Sequence, residues 1–189
     1  ALGLHQPCLL GHSMGAATTL LMAALHPHLP GAILLEDPPE WWRKLPPSPQ
    51  AAAHREGFFQ FLSSLKVKTR AELLADQHSM SPSWSEEELG PWADAKLRFN
   101  PDVLSLFEVD PADAVDWQAL LPRIQCPALL ITADPALGAA VTPAGAAALQ
   151  ALVPQLQIAH IPGAGHNIRR EQFAAYMEAV RSFLTASRP

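Results

Sequence analysis

Two groups of residues in this chain have the types and spacing that chemistry requires. One is a serine with a glycine two positions away on each side, Gly11-His12-Ser13-Met14-Gly15. The other is a histidine in a glycine-broken loop, Pro162-Gly163-Ala164-Gly165-His166-Asn167. A serine hydroxyl is a poor nucleophile until a base takes its proton, and imidazole is the side chain that titrates near neutrality. Glycines at the flanking positions let the backbone turn sharply from strand to helix in a strained conformation with no room for side chains there, so the hydroxyl projects from the strand end. A helix starting just after the serine presents its first amides to an anion, and the Met14 N–H is then the natural first donor to an oxyanion. The chemistry implied is attack on a carbonyl, with His166 moving the proton. A glycine-serine turn with no chemistry would carry the same five letters, so the flanking elements must decide.

Those elements fit. The apolar run Cys8-Leu9-Leu10 leads into Ser13, and helix-period apolar spacing follows from Ala16 to Leu25, closed by His26-Pro27. Three further strand-like runs lie within 31–39 (GAILLEDPP), 126–135 (CPALLITADP) and 155–166 (QLQIAHIPGAGH), and helical patterns follow the last two. Continuous rather than alternating apolar runs, each followed by a helix, predict a parallel sheet of about four strands covered on both faces. The stretch 40–122 breaks the rhythm with helical pieces joined by Pro- and Ser-rich turns. It is expected to be a helical lid inserted into an α/β core formed by 1–39 and 123–189, of the kind that closes over a substrate pocket. His12, Trp41 and Trp42 are candidate substrate contacts on this reading. Packing is the competing role for each, and the aromatic content of the lid points to an apolar or aromatic substrate.

Composition removes other classes. Apolar residues make up 49% and charged residues 16% of the 189, which is a globular composition. The formal net charge of -5, with Arg169-Arg170 as the nearest thing to a basic cluster, argues against a nucleic-acid surface. The sequence has neither a metal-ligand cluster nor a Gly-rich dinucleotide loop, so neither metal nor cofactor is expected. No apolar run approaches the roughly 18 to 20 residues of a membrane span, and a soluble, cytoplasmic protein without a membrane partner is expected. Cys8 and Cys126 each begin a predicted strand and are expected to be small buried thiols.

Together, GHSMGA on a strand-helix turn, a helical insertion after the next strand, CPALLITADP and PGAGHNI resemble the α/β-hydrolase fold family. The resemblance runs over nearly the whole chain, from the fifth to the eighth strand of that fold with its cap. It implies a serine hydrolase working through a Ser-His-acid triad and an acyl-enzyme on an ester, lactone or related carbonyl compound. It also implies that the first four strands, and the loop that supplies a second oxyanion N–H, lie outside this chain. The chain is therefore expected to need that N-terminal half.

The acid is where the sequence departs from the family pattern. Many members carry it after the seventh strand as Gly-x-x-Asp, and the matching residues here are Ala133, Asp134, Pro135 and Ala136. Asp134 would need a rearranged turn to reach the histidine. A branch resembling haloalkane dehalogenases and some lactone hydrolases places its acid at the end of the strand after the nucleophile, which here is Asp37. Asp37 is favoured, Asp134 is the alternative, and Glu36 is a weaker third because side chains alternate along a strand. Other chemistries on the same frame are carbon-carbon bond hydrolysis, cofactor-free haloperoxidation and lyase activity. A ligand-binding protein without turnover is the alternative from a different class.

Overall fold

A computed structural model of the chain describes residues 3–43, 49–107 and 111–187. They form two compact units, Ala1–Lys44 with Ala112–Pro189, and Leu45–Pro111.

The first unit is built on four parallel strands in the order β1 (Cys8–His12), β2 (Ala32–Glu36), β3 (Ala128–Thr132) and β4 (Leu156–His160). Every residue of β2 and β3 is buried, as their unbroken apolar sequences AILLE and ALLIT require of strands covered on both faces. Alternation along the strands splits the core in two. Ile33, Leu35, Ala128 and Leu130 pack with Ala16, Ala17 and Leu20 of α1 (Met14–Leu25) and with Leu149 further along the chain. On the opposite face Ala32, Leu34, Leu129 and Ile131 pack against the C-terminal helices. α1 lies close to the sheet because the residues facing it are alanines, with Ala16, Ala17, Ala23 and Ala24 at most 1% exposed. β1 is an edge strand. Cys8 is accordingly exposed rather than buried as expected, while Cys126 is buried, and burial pushes its thiol pKa up.

The second unit consists of α2 (Pro49–Leu65), α3 (Arg70–Met80), α4 (Glu86–Arg98) and a 3-10 segment, Pro101–Phe107. Leu62, Leu65, Leu73 and Ala93 form its small core, with Leu74, Trp92 and Phe99 against them. A reciprocal capping box between Thr69 and Glu72 starts α3. The Lys66 ammonium closes the C-terminus of α4 by donating to the carbonyls of Leu97 and Phe99 at 2.8 and 2.7 Å. This unit is narrower than the 40–122 insertion expected from sequence. Trp41 and Trp42, and the short helices α5 (Pro111–Ala114) and α6 (Trp117–Leu120) apart from Pro111, fall with the α/β unit, where Trp42, Trp117 and Leu121 belong to the core over α1.

The first unit is completed by α7 (Pro143–Leu152), α8 (Ile168–Glu171) and α9 (Phe173–Ala186). Thr142 caps α7 by accepting from the Gly145 amide at 3.0 Å, and Pro143 occupies the first turn. Tyr176, Val180 and Phe183, at helical spacing, bury one face of α9. Among the described residues no helix is long and apolar enough to cross a membrane.

Candidate active site

Because all four strands run parallel, their carboxyl ends lie along one edge of the sheet, where α/β folds place their chemistry. Ser13 follows β1, Asp37 follows β2, and His166 sits in the loop after β4. The ladder runs one bond past each strand, Ser13 N–H to Glu36 O at 2.9 Å and Asp37 N–H to Ile131 O at 3.1 Å, before the chain turns away. Both residues then adopt a left-handed backbone, Ser13 at φ 55° and Asp37 at φ 41°. Non-glycine residues seldom hold such angles, and they concentrate at functional sites.

Gly11 makes the turn at Ser13 sterically feasible. A Cβ there would lie 2.3 Å from the Gly15 carbonyl oxygen, so α1 can start this close to β1 only over a glycine. Gly15 differs from the sequence expectation, since a Cβ at that position meets no atom within 4 Å among the described residues. Ser13 caps α1 with its backbone, its carbonyl accepting from Ala16 and Ala17 at 2.9 and 3.2 Å. Its side chain makes no cap bond, which leaves the hydroxyl for another partner.

That partner is His166. Its Nε2 lies 3.0 Å from Ser13 Oγ and its Nδ1 lies 2.7 Å from Asp37 Oδ2. A carboxylate only accepts, so Nδ1 carries the proton, and in the neutral ring Nε2 is left to accept from the serine hydroxyl. Asp37 is fully buried and satisfied. Oδ2 also accepts from the Ala140 amide at 2.7 Å, and Oδ1 accepts from the Val141 amide at 2.9 Å. The imidazole itself is 35% exposed. The loop carrying it depends on Gly163, at φ 77°, and on Gly165, where a Cβ would fall 2.3 Å from the Leu137 carbonyl oxygen.

The other sequence candidates take different places. Asp134 does not reach His166. Its Oδ1 pairs with His160 Nε2 at 3.1 Å and its Oδ2 accepts from the Gly163 amide at 2.7 Å. Glu36 is buried with Oε1 accepting from the Arg169 amide at 2.9 Å, on the α8 and α9 face of the sheet with Leu34, as alternation requires. His12 turns its Nε2 to the His166 carbonyl oxygen at 2.8 Å, which engages that nitrogen inside the protein. Burial lowers the pKa of His12, outweighing the Glu36 charge, which pushes the other way. Trp42, expected as a substrate contact, is 1% exposed and donates its indole N–H to the Gly145 carbonyl at 2.9 Å, which makes it a core residue. Trp41 is half-buried and packs on Trp117 with ring centroids 5.9 Å apart. Met14 is the first residue of α1, and its amide is one of those a helix leaves without an intrahelical partner.

Three contributors had no local signal in the sequence. The Ala140 and Val141 amides that hold Asp37 come from an unremarkable run, Gly138-Ala139-Ala140-Val141. Glu40 fixes the segment after Asp37 by accepting from the Thr142 amide and hydroxyl at 2.5 and 2.7 Å. Only the pairing of His12 with Glu36 across β1 and β2 could have been anticipated, from strand alternation once the register is known.

Residues 1–179 match the family model described as "Alpha/beta hydrolase family". Over 185 residues, 97% of this chain, the sequence is 29% identical to N-formylmaleamate deformylase of Pseudomonas putida, and it spans 65% of that protein's length. The fold is similar to a crystal structure of N-formylmaleamic acid deformylase from Pseudomonas putida S16, with a TM-score of 0.66 at 20% identity, covering 94% of this chain and 67% of that one. It is also similar to a thermophilic esterase from Thermogutta terrifontis, with a TM-score of 0.64 at 23% identity, covering 96% and 65%.

Proposed function

The chain belongs to the alpha/beta hydrolase family, and we propose that it carries the catalytic residues of a serine hydrolase in which Ser13 is the nucleophile, His166 the general base and acid, and Asp37 the residue that orients the imidazole. The observation that carries this reading is the continuous hydrogen-bonded line from the buried Asp37 carboxylate through both ring nitrogens of His166 to a serine hydroxyl held on a strained turn.

In the first step Ser13 Oγ attacks a carbonyl carbon while His166 Nε2 takes the hydroxyl proton, and Asp37 stabilises the imidazolium so formed. The oxyanion is received by the Met14 N–H at the start of α1. The intermediate collapses, the imidazolium gives its proton to the departing alcohol or amine, and an acyl group remains on Ser13. Water then attacks with His166 as base, and breakage of the Ser13 ester bond releases the acid. Esters, lactones and related carbonyl compounds all satisfy this sequence. Similarity to a protein named N-formylmaleamate deformylase favours a second reading, in which the scissile bond is an N-formyl bond and the acid released is formate. Trp41 and Trp42, packed in the α/β unit, lend no support to an aromatic preference.

The test is covalent labelling of the full-length protein with a fluorophosphonate, read by intact-mass shift and peptide mapping, alongside turnover of p-nitrophenyl acetate and N-formyl amides. Labelling mapped to Ser13 and abolished in Ser13→Ala and His166→Ala is expected. Labelling elsewhere, or turnover unchanged in Ser13→Ala, overturns the reading.

A further inference from the structure

The residue just before Ser13 and the residue just before Asp37 are both polar, both lie on the face of the sheet that α8 and α9 cover, and neither takes part in the reaction as described above. His12 and Glu36 are direct partners in the β1–β2 register. The His12 Nε2–H donates to the His166 carbonyl at 2.8 Å, and its ring centroid lies 4.7 Å from that of His166. Glu36, 4% exposed, accepts from the Arg169 amide at 2.9 Å, at the start of α8 just beyond His166. Behind it lies the buried phenol of Tyr176, whose pKa is pushed up first by burial and then by the Glu36 charge. A buried carboxylate beside a phenol is an expensive arrangement for an apolar core, and it needs a structural return.

Resting on the reading of His166 as the base, we propose that His12 and Glu36 are positioning residues that grip the base loop by its backbone, at the His166 carbonyl and the Arg169 amide. Ser13 and Asp37 meanwhile engage its side chain. The loop needs such a grip. Gly163 and Gly165 make it conformationally permissive, and the bonds to Gly163, Ala164 and Gly165 from Asp134, Gln172 and Glu171 all lie on the N-terminal side of His166. Beyond His166 the chain is anchored by the buried side chain of Ile168 and by bonds within α8, while His12 holds the His166 carbonyl itself and Glu36 the Arg169 amide. A shift of about 1 Å at a catalytic group costs up to about 10²-fold in rate.

The experiment compares His12→Asn, His12→Gln, Glu36→Leu and Glu36→Gln in the full-length protein. Readouts are p-nitrophenyl acetate kinetics, fluorophosphonate labelling rate and thermal midpoint. Asparagine is too short to reach the carbonyl, whereas glutamine places an amide N–H near the position of Nε2; Glu36→Gln keeps the acceptor and Glu36→Leu removes it. The expected result is a loss of about 10-fold to 10²-fold in kcat and in labelling rate for His12→Asn and Glu36→Leu. KM should be unchanged, and both glutamine variants should recover most of the loss. Wild-type kcat in a folded His12→Asn protein overturns the proposal. So does a loss that tracks the thermal midpoint and is not recovered by glutamine. Ser13→Ala serves as the separate control: persisting activity there defeats the triad itself, whereas an inactive Ser13→Ala beside a fully active His12→Asn defeats the positioning role alone.

Discussion

Replacing Asp37 by asparagine tests the acid assignment, and the structure sets the size of the effect. The carboxylate accepts three N–H groups, Val141 on Oδ1 and both Ala140 and His166 on Oδ2. An asparagine has one acceptor oxygen and one NH2. If its NH2 takes the Oδ1 place, it faces the Val141 N–H donor to donor. If it takes the Oδ2 place, it faces Ala140 and drives His166 into the tautomer with its proton on Nε2, where it cannot accept from Ser13. Either way one buried amide loses its partner, costing about 1 to 3 kcal/mol of stability. For a chain of this size that is a fall of roughly 2 to 12 °C in thermal midpoint. The tautomer and the lost charge act on the barrier. By analogy with the aspartate-to-asparagine change in a serine protease triad, kcat should fall by about 10³ to 10⁴. That corresponds to about 4 to 5.5 kcal/mol of transition-state stabilisation. Asp134→Asn should leave kcat within about fivefold, because its carboxylate serves His160 and the Gly163 amide and never meets the reacting atoms. Kinetics of both variants on one ester substrate, with denaturation curves, give the result. A dead Asp134→Asn enzyme, or an Asp37→Asn enzyme keeping more than about a tenth of its turnover, would refute the reasoning.

Two further outcomes follow from the same geometry. Gly11→Ala sets a methyl group 2.3 Å from the Gly15 carbonyl oxygen, a backbone atom that can move only if α1 moves. It should cost about 4 kcal/mol or more and show as loss of soluble protein or a large drop in denaturation midpoint. Burial holds the folded pKa of His12 below the ordinary histidine value of about 6.5, so the unfolded chain binds its proton first as pH falls through that value. Its contribution to stability is therefore present at neutral pH and is lost on acidification until the folded pKa is passed. The stability of the parent relative to His12→Gln, measured by urea titration at pH 8 and pH 5, should decline towards the lower pH.

The layout of the α/β unit was legible because burial on both faces leaves a plain sequence mark. AILLE and ALLIT carry no polar alternation, and each stands where a helix or a proline pair interrupts it. Ser13 and His166 were legible for a different reason, since glycines are needed wherever backbone approaches backbone, and Gly11 and Gly165 both meet that condition. The roles of tryptophans were not legible. An aromatic pair just after a strand reads equally as pocket wall or as core, and only the indole bond from Trp42 to the Gly145 carbonyl decides for core. The second compact unit ends at Pro111 rather than at the expected 122 for a related reason. Helical periodicity marks 112–122 as helix but does not say which unit its apolar face joins, and Trp117 and Leu121 pack over α1.

The choice between the two aspartates turns on the segment between β3 and α7, and it shows why distance along the sheet is a poor guide. Asp134 lies two residues past β3, the strand next to β4, and so one strand nearer to the loop of His166 than Asp37 is. Yet its carboxylate is drawn to the Gly163 amide and to His160, both at the near end of the β4 loop. A 3-10 turn over Pro135–Leu137 and a left-handed Gly138 then swing the chain back across the sheet end, and the Ala140 and Val141 amides arrive beside Asp37. The segment after β3, where many members of the family carry the acid, here supplies the amides that hold the Asp37 carboxylate after β2. Asp134 shapes the start of the loop that bears His166. A carboxylate at either strand end can serve such a base, provided the intervening loop delivers amides to it, because those amides fix which oxygen faces the imidazole. In this chain they converge on Asp37.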